Sequence, residues 1–240
     1  MGPFRVCASL MSETVEGFEV LAREALDEGA DLIELRLDAL TTPDLAASAV
    51  RGAKDLGATV IATVRSREEG GRYSAGPKKL VEVLKAVSGH ADLVDLDRAS
   101  LELREVRSLA SELGEDRVLA SAHLGPGDPG VQELVQVAEA LSSYGYLVKL
   151  VTSPVTAAGA ASTLGLFREV GWSRGRLVAF SVGERWSLTR PLSLVLGAPF
   201  TYAALKGREV APGQLSVRET KLLAEIFSRV MALAPARADR

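Results

Sequence analysis

The chain has 240 residues, of which 47% are hydrophobic, so it is long enough to bury one large core. Its formal net charge is -3 and its 28 basic residues are spread along the sequence, which is not the pattern of a nucleic-acid-binding protein. Cys7 is the only cysteine, which excludes an intrachain disulfide and a cysteine-based metal cluster. With no apolar run of about 18 residues and no secretion signal, we expect a cytoplasmic protein that binds a small molecule, without nucleic-acid or membrane partners.

Short apolar runs alternate along the chain with longer segments of helical periodicity. The eight runs predicted as strands are residues 4–10, 31–37, 59–64, 91–96, 117–123, 146–151, 176–182 and 200–204. The segments predicted as helices are 14–28, 43–56, 77–88, 101–113, 131–143, 156–170, 187–196 and a last helix from Ser216. Two helix-start signals support these limits: Ser100 before Leu101, and Ser216 with Glu219 three residues later.

Eight strand–helix pairs in alternation predict an α/β fold with parallel strands and right-handed crossovers. An open doubly wound sheet has the same pattern, but eight units in this length favour closure into a single (β/α)8 TIM barrel. No linker divides the sequence, so we predict one catalytic domain over residues 1–240, with a frayed tail at 235–240.

Several predicted strands carry charges that a parallel sheet covered on both faces should lack. In LIELRLD, Glu34, Arg36 and Asp38 alternate with aliphatic residues, so a period of two places all three charges on one face. If the aliphatic face meets the helices, the charges point into the barrel, where they must pair or bind a ligand. A stabilising ion-pair cluster is one interpretation. The other is an active site, because the pattern recurs. Asp95 and Asp97 share one face in DLVDLD, and further polar residues stand at or near the ends of other strands: Arg65, His123, Lys149 and Ser181.

Lys149 lies inside the apolar run YLVKLV. It is either a surface lysine whose stem packs on apolar neighbours or a desolvated amine that attacks a ketone to form an imine. His123, near the end of the preceding strand, is either a core histidine or a general acid–base. The other histidine, His90, precedes a strand and is predicted to be a surface residue.

VRSREEGG, with Arg65, Glu68 and Glu69, is interpreted either as a flexible charged loop or as a loop that brings a carboxylate to the imidazole and an arginine to the substrate. Further along the chain, LTRPLS offers Arg190 and VAPGQLS offers Gln214, and loops at this face commonly close over a ligand. A GxGxxG pattern at 125–130 is not read as a dinucleotide site, because two prolines remove amide donors from it. No cofactor or metal is predicted.

With these residues identified, the chain resembles the type I 3-dehydroquinate dehydratases from about Arg5 to Ser216. The resemblance is carried by the strand of Lys149, by the segment of Arg190, and by ELRLD at 34–38, TVRSREEGG at 63–71, SAHLG at 121–125, SVG at 181–183 and APGQ at 211–214. Each motif is weak alone, but their joint occurrence in this order is specific.

The resemblance implies a Schiff base on Lys149, a catalytic His123 and a Glu69 that pairs with it. It also implies six substrate contacts. Ser9 matches a polar residue at the end of the first strand, and Glu34, Arg36 and Arg65 match residues that hold the hydroxyls and position the ring. Arg190 matches a carboxylate-binding arginine, and Gln214 matches the lid glutamine beside it. The chain departs from the pattern at Val210, where some relatives have a serine, so one hydroxyl contact is in doubt.

The implied function is a lyase that dehydrates 3-dehydroquinate to 3-dehydroshikimate by syn elimination, the third step of the shikimate pathway. The implied assembly is a homodimer. Two alternatives stay open: another Schiff-base barrel enzyme of the class I aldolase kind, and a non-catalytic sensor of a shikimate-pathway metabolite.

Overall fold

The computed structural model describes residues 4–233. Its strands are β1 (Val6–Leu10), β2 (Leu32–Arg36), β3 (Val60–Thr63), β4 (Leu93–Asp97), β5 (Val118–Pro126), β6 (Leu147–Ser153), β7 (Leu177–Ser181) and β8 (Thr201–Ala203). Its helices are α1 (Val15–Asp27), α2 (Ala46–Asp55), α3 (Pro77–Ser88), α4 (Arg98–Leu101), α5 (Arg104–Leu113), α6 (Val131–Ser142), α7 (Ala157–Glu169), α8 (Thr189–Leu196) and α9 (Val217–Leu233). No helix in this part of the chain is long and apolar enough to cross a membrane.

The strands form one parallel sheet in the order β7-β6-β5-β4-β3-β2-β1-β8. Each strand therefore lies beside its neighbour in sequence, and the sheet curls until β7 and β8 face each other. Side chains bridge that last gap, where the rings of Phe180 and Tyr202 are 5.8 Å apart. The predicted (β/α)8 barrel is confirmed.

Alternation along each strand divides the core into two layers. On β2, Ile33 and Leu35 belong to the large cluster between strands and helices, whereas Leu32 lies in a smaller cluster inside the barrel. This interior cluster also contains Ile61 and Leu119. Apolar side chains thus fill the floor of the barrel, and polar inward residues such as Glu34 and Lys149 follow along β2 and β6.

The predicted helix at 101–113 is wrong at its start. The Asp97 side chain accepts a hydrogen bond from the Ser100 backbone N–H at 2.8 Å, so α4 begins directly after β4 and Ser100 is not its cap. Arg107 then donates to the carbonyls of Leu101 and Glu102 at 2.8 and 2.9 Å, which satisfies the end of α4 and separates it from α5.

The start of the last helix is confirmed. The Ser216 backbone N–H donates to Glu219 Oε2 at 2.8 Å, and the Glu219 N–H donates to Ser216 Oγ at 3.2 Å, which is a reciprocal capping box. The predicted tail at 235–240 lies outside the described residues.

Candidate active site

A cavity opens at the carboxyl ends of the strands, where barrel enzymes bind their substrates. Eight of the nine predicted site residues line it, and the ninth, Glu69, lies behind His123. The eight are Ser9, Glu34, Arg36, Arg65, His123, Lys149, Arg190 and Gln214. No group of three or more His, Cys, Asp or Glu side chains within residues 4–233 is arranged to hold a metal ion.

Lys149 points into the barrel, because its neighbours Val148 and Leu150 on β6 belong to the outer core layer. Its side chain is only 3% exposed, which rules out the surface interpretation. The amine Nζ lies 2.5 Å from Asp95 Oδ2 and 3.2 Å from Glu34 Oε1. The expectation of a desolvated amine did not include these two carboxylate partners.

Arg65 contacts Asp95 as a second cation. Its Nη2 donates to both oxygens of Asp95 at 3.0 and 2.9 Å, and its Nη1 donates to Ser121 Oγ at 2.8 Å. Burial disfavours ionised Asp95, but Arg65 and Lys149 outweigh it and hold the pKa of Asp95 below its usual value. Burial is likewise outweighed at Glu34, where Lys149 lowers the pKa of the carboxyl. The two carboxylates at the floor of the cavity are therefore held in their ionised form.

His123 lies on β5, beside β6, with Ser121 opposite Lys149 in the register. His123 is thus two residues further along its strand than Lys149, about 6.6 Å. Glu69 Oε2 accepts a hydrogen bond from the His123 backbone N–H at 2.7 Å and lies 3.2 Å from Nδ1. With Nδ1–H donated to this carboxylate, Nε2 is left as the proton acceptor toward the cavity.

The surroundings of His123 favour a neutral imidazole. Burial, followed by the positive charges of Arg65, Lys149 and Arg36, lowers the pKa of His123 well below 6.5. Burial and the nearby Asp97 raise the pKa of Glu69 above 4.5. A quarter of the His123 side chain is exposed, so the ring can reach a ligand.

The two glycines after Glu69 explain how this carboxylate reaches the imidazole. Gly70 has a left-handed φ of 80°, which turns the chain after a short 3-10 helix at Arg67–Glu69. At Gly71, a Cβ atom would stand 2.1 Å from the Arg65 carbonyl oxygen. Only glycine allows this close approach, so the loop folds back over β3 and presents Glu69 inward.

Arg190, in the first turn of α8, is only 1% exposed, yet among residues 4–233 it forms no ion pair. Its Nη1 donates to the Gly213 carbonyl at 2.9 Å, its Nε has no partner in the described part of the chain, and its guanidinium lies 4.8 Å from the Phe180 ring. Burial alone lowers the pKa of Arg190 to about 10. A buried cation without a counter-charge, facing a cavity, is suited to bind an anionic group.

The loop that carries Gln214 closes the same side of the cavity. Gln214 Oε1 accepts hydrogen bonds from the backbone N–H groups of Val210 and Ala211 at 2.7 and 3.0 Å, which leaves its amide NH2 free to donate. Val210 itself lines the cavity and has no hydroxyl to offer there.

Three of the polar residues singled out from the sequence do not join the site. Asp38 lies past the end of β2 and pairs with Arg36 at 2.8 Å, outside the cavity. Glu68 is exposed. The Ser181 hydroxyl points outward and contacts Thr163 on α7, because it is Phe180, one residue earlier, that faces the barrel.

Sequence reasoning also missed functional neighbours of Lys149. Asp95 was recognised as inward-facing but was given no role, and Tyr202 was counted as part of an apolar strand. The Tyr202 hydroxyl lies 3.4 Å from Nζ, and Nζ stands 4.7 Å from the centre of its ring. The alternation within β4 was the signal for Asp95; no comparable signal marks Tyr202.

Comparison with known proteins gives a consistent result. The model of the type I 3-dehydroquinase family matches residues 6–229. The 3-dehydroquinate dehydratase of Methanopyrus kandleri is 34% identical over 224 residues, which cover 92% of this chain and 99% of that protein.

Solved structures agree with the sequence comparison. The chain matches the 3-dehydroquinate dehydratase of Aquifex aeolicus with a TM-score of 0.77 and 25% identity, over 94% of this chain and 100% of the other. It matches the type I enzyme of Clostridium difficile with a TM-score of 0.84 and 18% identity, over 95% of this chain and 94% of that one, a likeness that concerns the fold alone.

Proposed function

The chain belongs to the type I 3-dehydroquinase family, and on that premise we propose that it dehydrates 3-dehydroquinate to 3-dehydroshikimate through an imine on Lys149. The main observation in support is that one cavity brings together the buried amine of Lys149, the neutral imidazole of His123 and the guanidinium of Arg190, which forms no ion pair among the described residues. This set matches a substrate that has a ketone, an acidic neighbouring C–H and a carboxylate. The proposal names no cofactor.

The reaction begins with the attack of Lys149 Nζ on the C3 ketone. Water leaves, and the resulting iminium withdraws electrons so that the C2 proton becomes acidic. His123 removes this proton, which gives an enamine, and then protonates the departing C1 hydroxyl. Both transfers use one base on one face, which is a syn elimination. Hydrolysis of the product imine frees Lys149 and 3-dehydroshikimate.

The remaining residues hold the substrate in this orientation. Arg190 supplies the buried positive charge for the carboxylate, and Gln214 can donate its amide to the same group. Ser9 and Glu34 are hydrogen-bonded to each other at the floor of the cavity and face the ring hydroxyls together with Arg36. Arg65 is engaged mainly with Asp95 and Ser121, so its main role is to balance charge beneath the ring.

A single assay tests the reaction. Purified protein with 3-dehydroquinate should give the ultraviolet absorbance of the conjugated product, and borohydride added during turnover should attach a reduced adduct to the Lys149 peptide. Borohydride without substrate is the control and should leave that peptide unmodified. Binding without new absorbance would favour a sensor instead, and turnover with an unmodified Lys149 would contradict the imine.

We further propose that α8 and α9 form a homodimer interface. Ten large hydrophobic side chains are exposed among the described residues, and six of them lie on or directly before these two helices, at intervals of four: Leu188, Leu192 and Leu196, and Leu222, Ile226 and Val230. The adjacent pair of Glu225 and Arg229, 3.5 Å apart, places both signs of charge beside this surface, as a self-complementary two-fold contact requires.

The double variant L222E/I226E should convert a dimer into a monomer, measured as molar mass by light scattering after gel filtration. Val20→Glu, which places the same charge at an exposed apolar position on α1, is the matched control and should stay dimeric. A parent protein that is monomeric, or a double variant that remains dimeric, would rule out this surface as the interface.

A further inference from the structure

The hydrogen bonds of Lys149 account for all of its donors. An ammonium group has three N–H bonds, and Nζ has three acceptors around it: Asp95 Oδ2 at 2.5 Å, Glu34 Oε1 at 3.2 Å and Tyr202 Oη at 3.4 Å. The amine is therefore fully engaged before any substrate arrives.

Imine formation must break up this arrangement. An ammonium must first pass a proton to a base so that the nitrogen's lone pair can attack the ketone. Over the whole conversion to an iminium, a C–N bond forms, the C–O bond breaks, and the oxygen leaves as water while the nitrogen loses two protons. The nitrogen keeps its positive charge but only one N–H. Two of the three acceptors therefore lose their donor, and the third determines how the iminium is held.

Asp95 is the acceptor best placed to keep its contact. Its side chain is wholly buried and does not line the cavity. Arg65 binds both of its oxygens, and Ser121 donates to Oδ1 at 2.6 Å, so the carboxylate is fixed. Glu34 and Tyr202 do line the cavity and can turn to the substrate.

Building on the proposed imine, we propose that Asp95 is the counter-ion of the Lys149 iminium: it holds the one remaining N–H, while Glu34 and Tyr202 are released to the substrate. A fixed negative charge at the nitrogen keeps it protonated, and only the protonated imine is a strong electron sink. The other ionisable groups that face this pair are Cys7 on β1, Glu34 and Arg36 on β2, Arg65 after β3, Asp97 on β4, His123 on β5, Arg190 on α8 and Tyr202 on β8.

The test follows iminium protonation directly. Cyanoborohydride reduces iminium ions much faster than neutral imines, so the yield of trapped Lys149 adduct against pH gives the midpoint at which the nitrogen loses its proton. In Asp95→Asn, this midpoint should fall by about 1–3 pH units, because an opposite charge in contact shifts an ionisation by that amount. The alkaline limb of kcat should move by the same interval.

Ser121→Ala is the matched control. It removes a hydrogen bond to both Asp95 and Arg65 but leaves every charge in place, so its trapping midpoint should equal that of the parent. Asp95→Glu restores the charge and should restore the midpoint. An Asp95→Asn midpoint equal to the parent's, or a larger shift in Glu34→Gln, would overturn the assignment of the counter-ion.

The parent protein provides a second measurement that does not depend on whether a variant folds. Its midpoint should lie about 1–3 pH units above that of the imine formed by Nα-acetyl-lysine with the same ketone. Coincident midpoints would overturn the counter-ion. If the parent gave no Lys149 adduct at all, it is the proposed function that would fail, so the two outcomes are distinguishable.

Discussion

Replacement of Lys149 by methionine should lower kcat for dehydration by about 10⁴–10⁶-fold, the range expected when a covalent nucleophile is removed from a group of residues that act together. Without the amine no iminium forms. The C2 proton is then only as acidic as a proton on the carbon next to an ordinary ketone. The measurement is the rate of product absorbance at saturating substrate, together with mass analysis after borohydride treatment. No adduct should form on the variant.

The Lys149→Arg variant removes the nucleophilic amine but keeps a positive charge at this position. Methionine leaves Asp95 with Arg65 alone and removes the cation that contacts Glu34. A buried carboxylate that loses its partner is destabilising, whereas arginine keeps a positive charge near both. Both variants should be equally inactive, while the arginine variant should unfold at a higher temperature. Lys54→Ala, which breaks a half-exposed pair with Asp92 on the outside of the barrel, is the control for lysine loss. An arginine variant that retained turnover would refute covalent catalysis.

Most of the barrel could be predicted because the local sequence pattern marks each strand and most helices. The eight apolar runs and the periodic segments between them mark elements whose neighbours in sequence are also neighbours in space. The helix that was misplaced depended on side-chain hydrogen bonds to the backbone, which apolar spacing does not report. Arg107 reaches back to the carbonyl of Leu101, and the apolar spacing of 101–113 contains no sign of that hydrogen bond.

The site was predictable to the extent that alternation indicates which side chains point inward. It identified Glu34 and Asp95 as inward charges, but it could not pair them with Lys149, which lies 115 and 54 residues away. Those pairings depend on strand register. Ser181 shows the opposite error: its place at a strand end suggested the cavity, but the phase of alternation on β7 turns it toward α7.

Replacement of His123 by alanine should slow dehydration by about 10²–10⁴-fold while imine formation continues. The mass of the trapped adduct separates the two steps, because an adduct that has lost water differs from one that has not. In the parent, borohydride should capture both forms. In the variant, the adduct that retains the C1 hydroxyl should accumulate. Since His90 is exposed, its ring lies 3.3 Å from Arg51 and it does not line the cavity, His90→Ala should behave as the parent.

The pH dependence of the parent tests the same assignment without a substitution. A general base acts in its neutral form, and burial together with Arg65, Lys149 and Arg36 lowers the pKa of His123 well below 6.5. The neutral imidazole therefore persists as pH falls, so the acid limb of kcat/KM, which reports the free enzyme, should lie below pH 6.5. An acid limb at or above that value, or a His123→Ala adduct that has already lost water, would mean that another group takes the C2 proton. Glu69, the carboxylate that contacts the ring, is held by the backbone N–H groups of His123 and Ala99 behind the imidazole, so it cannot substitute without moving.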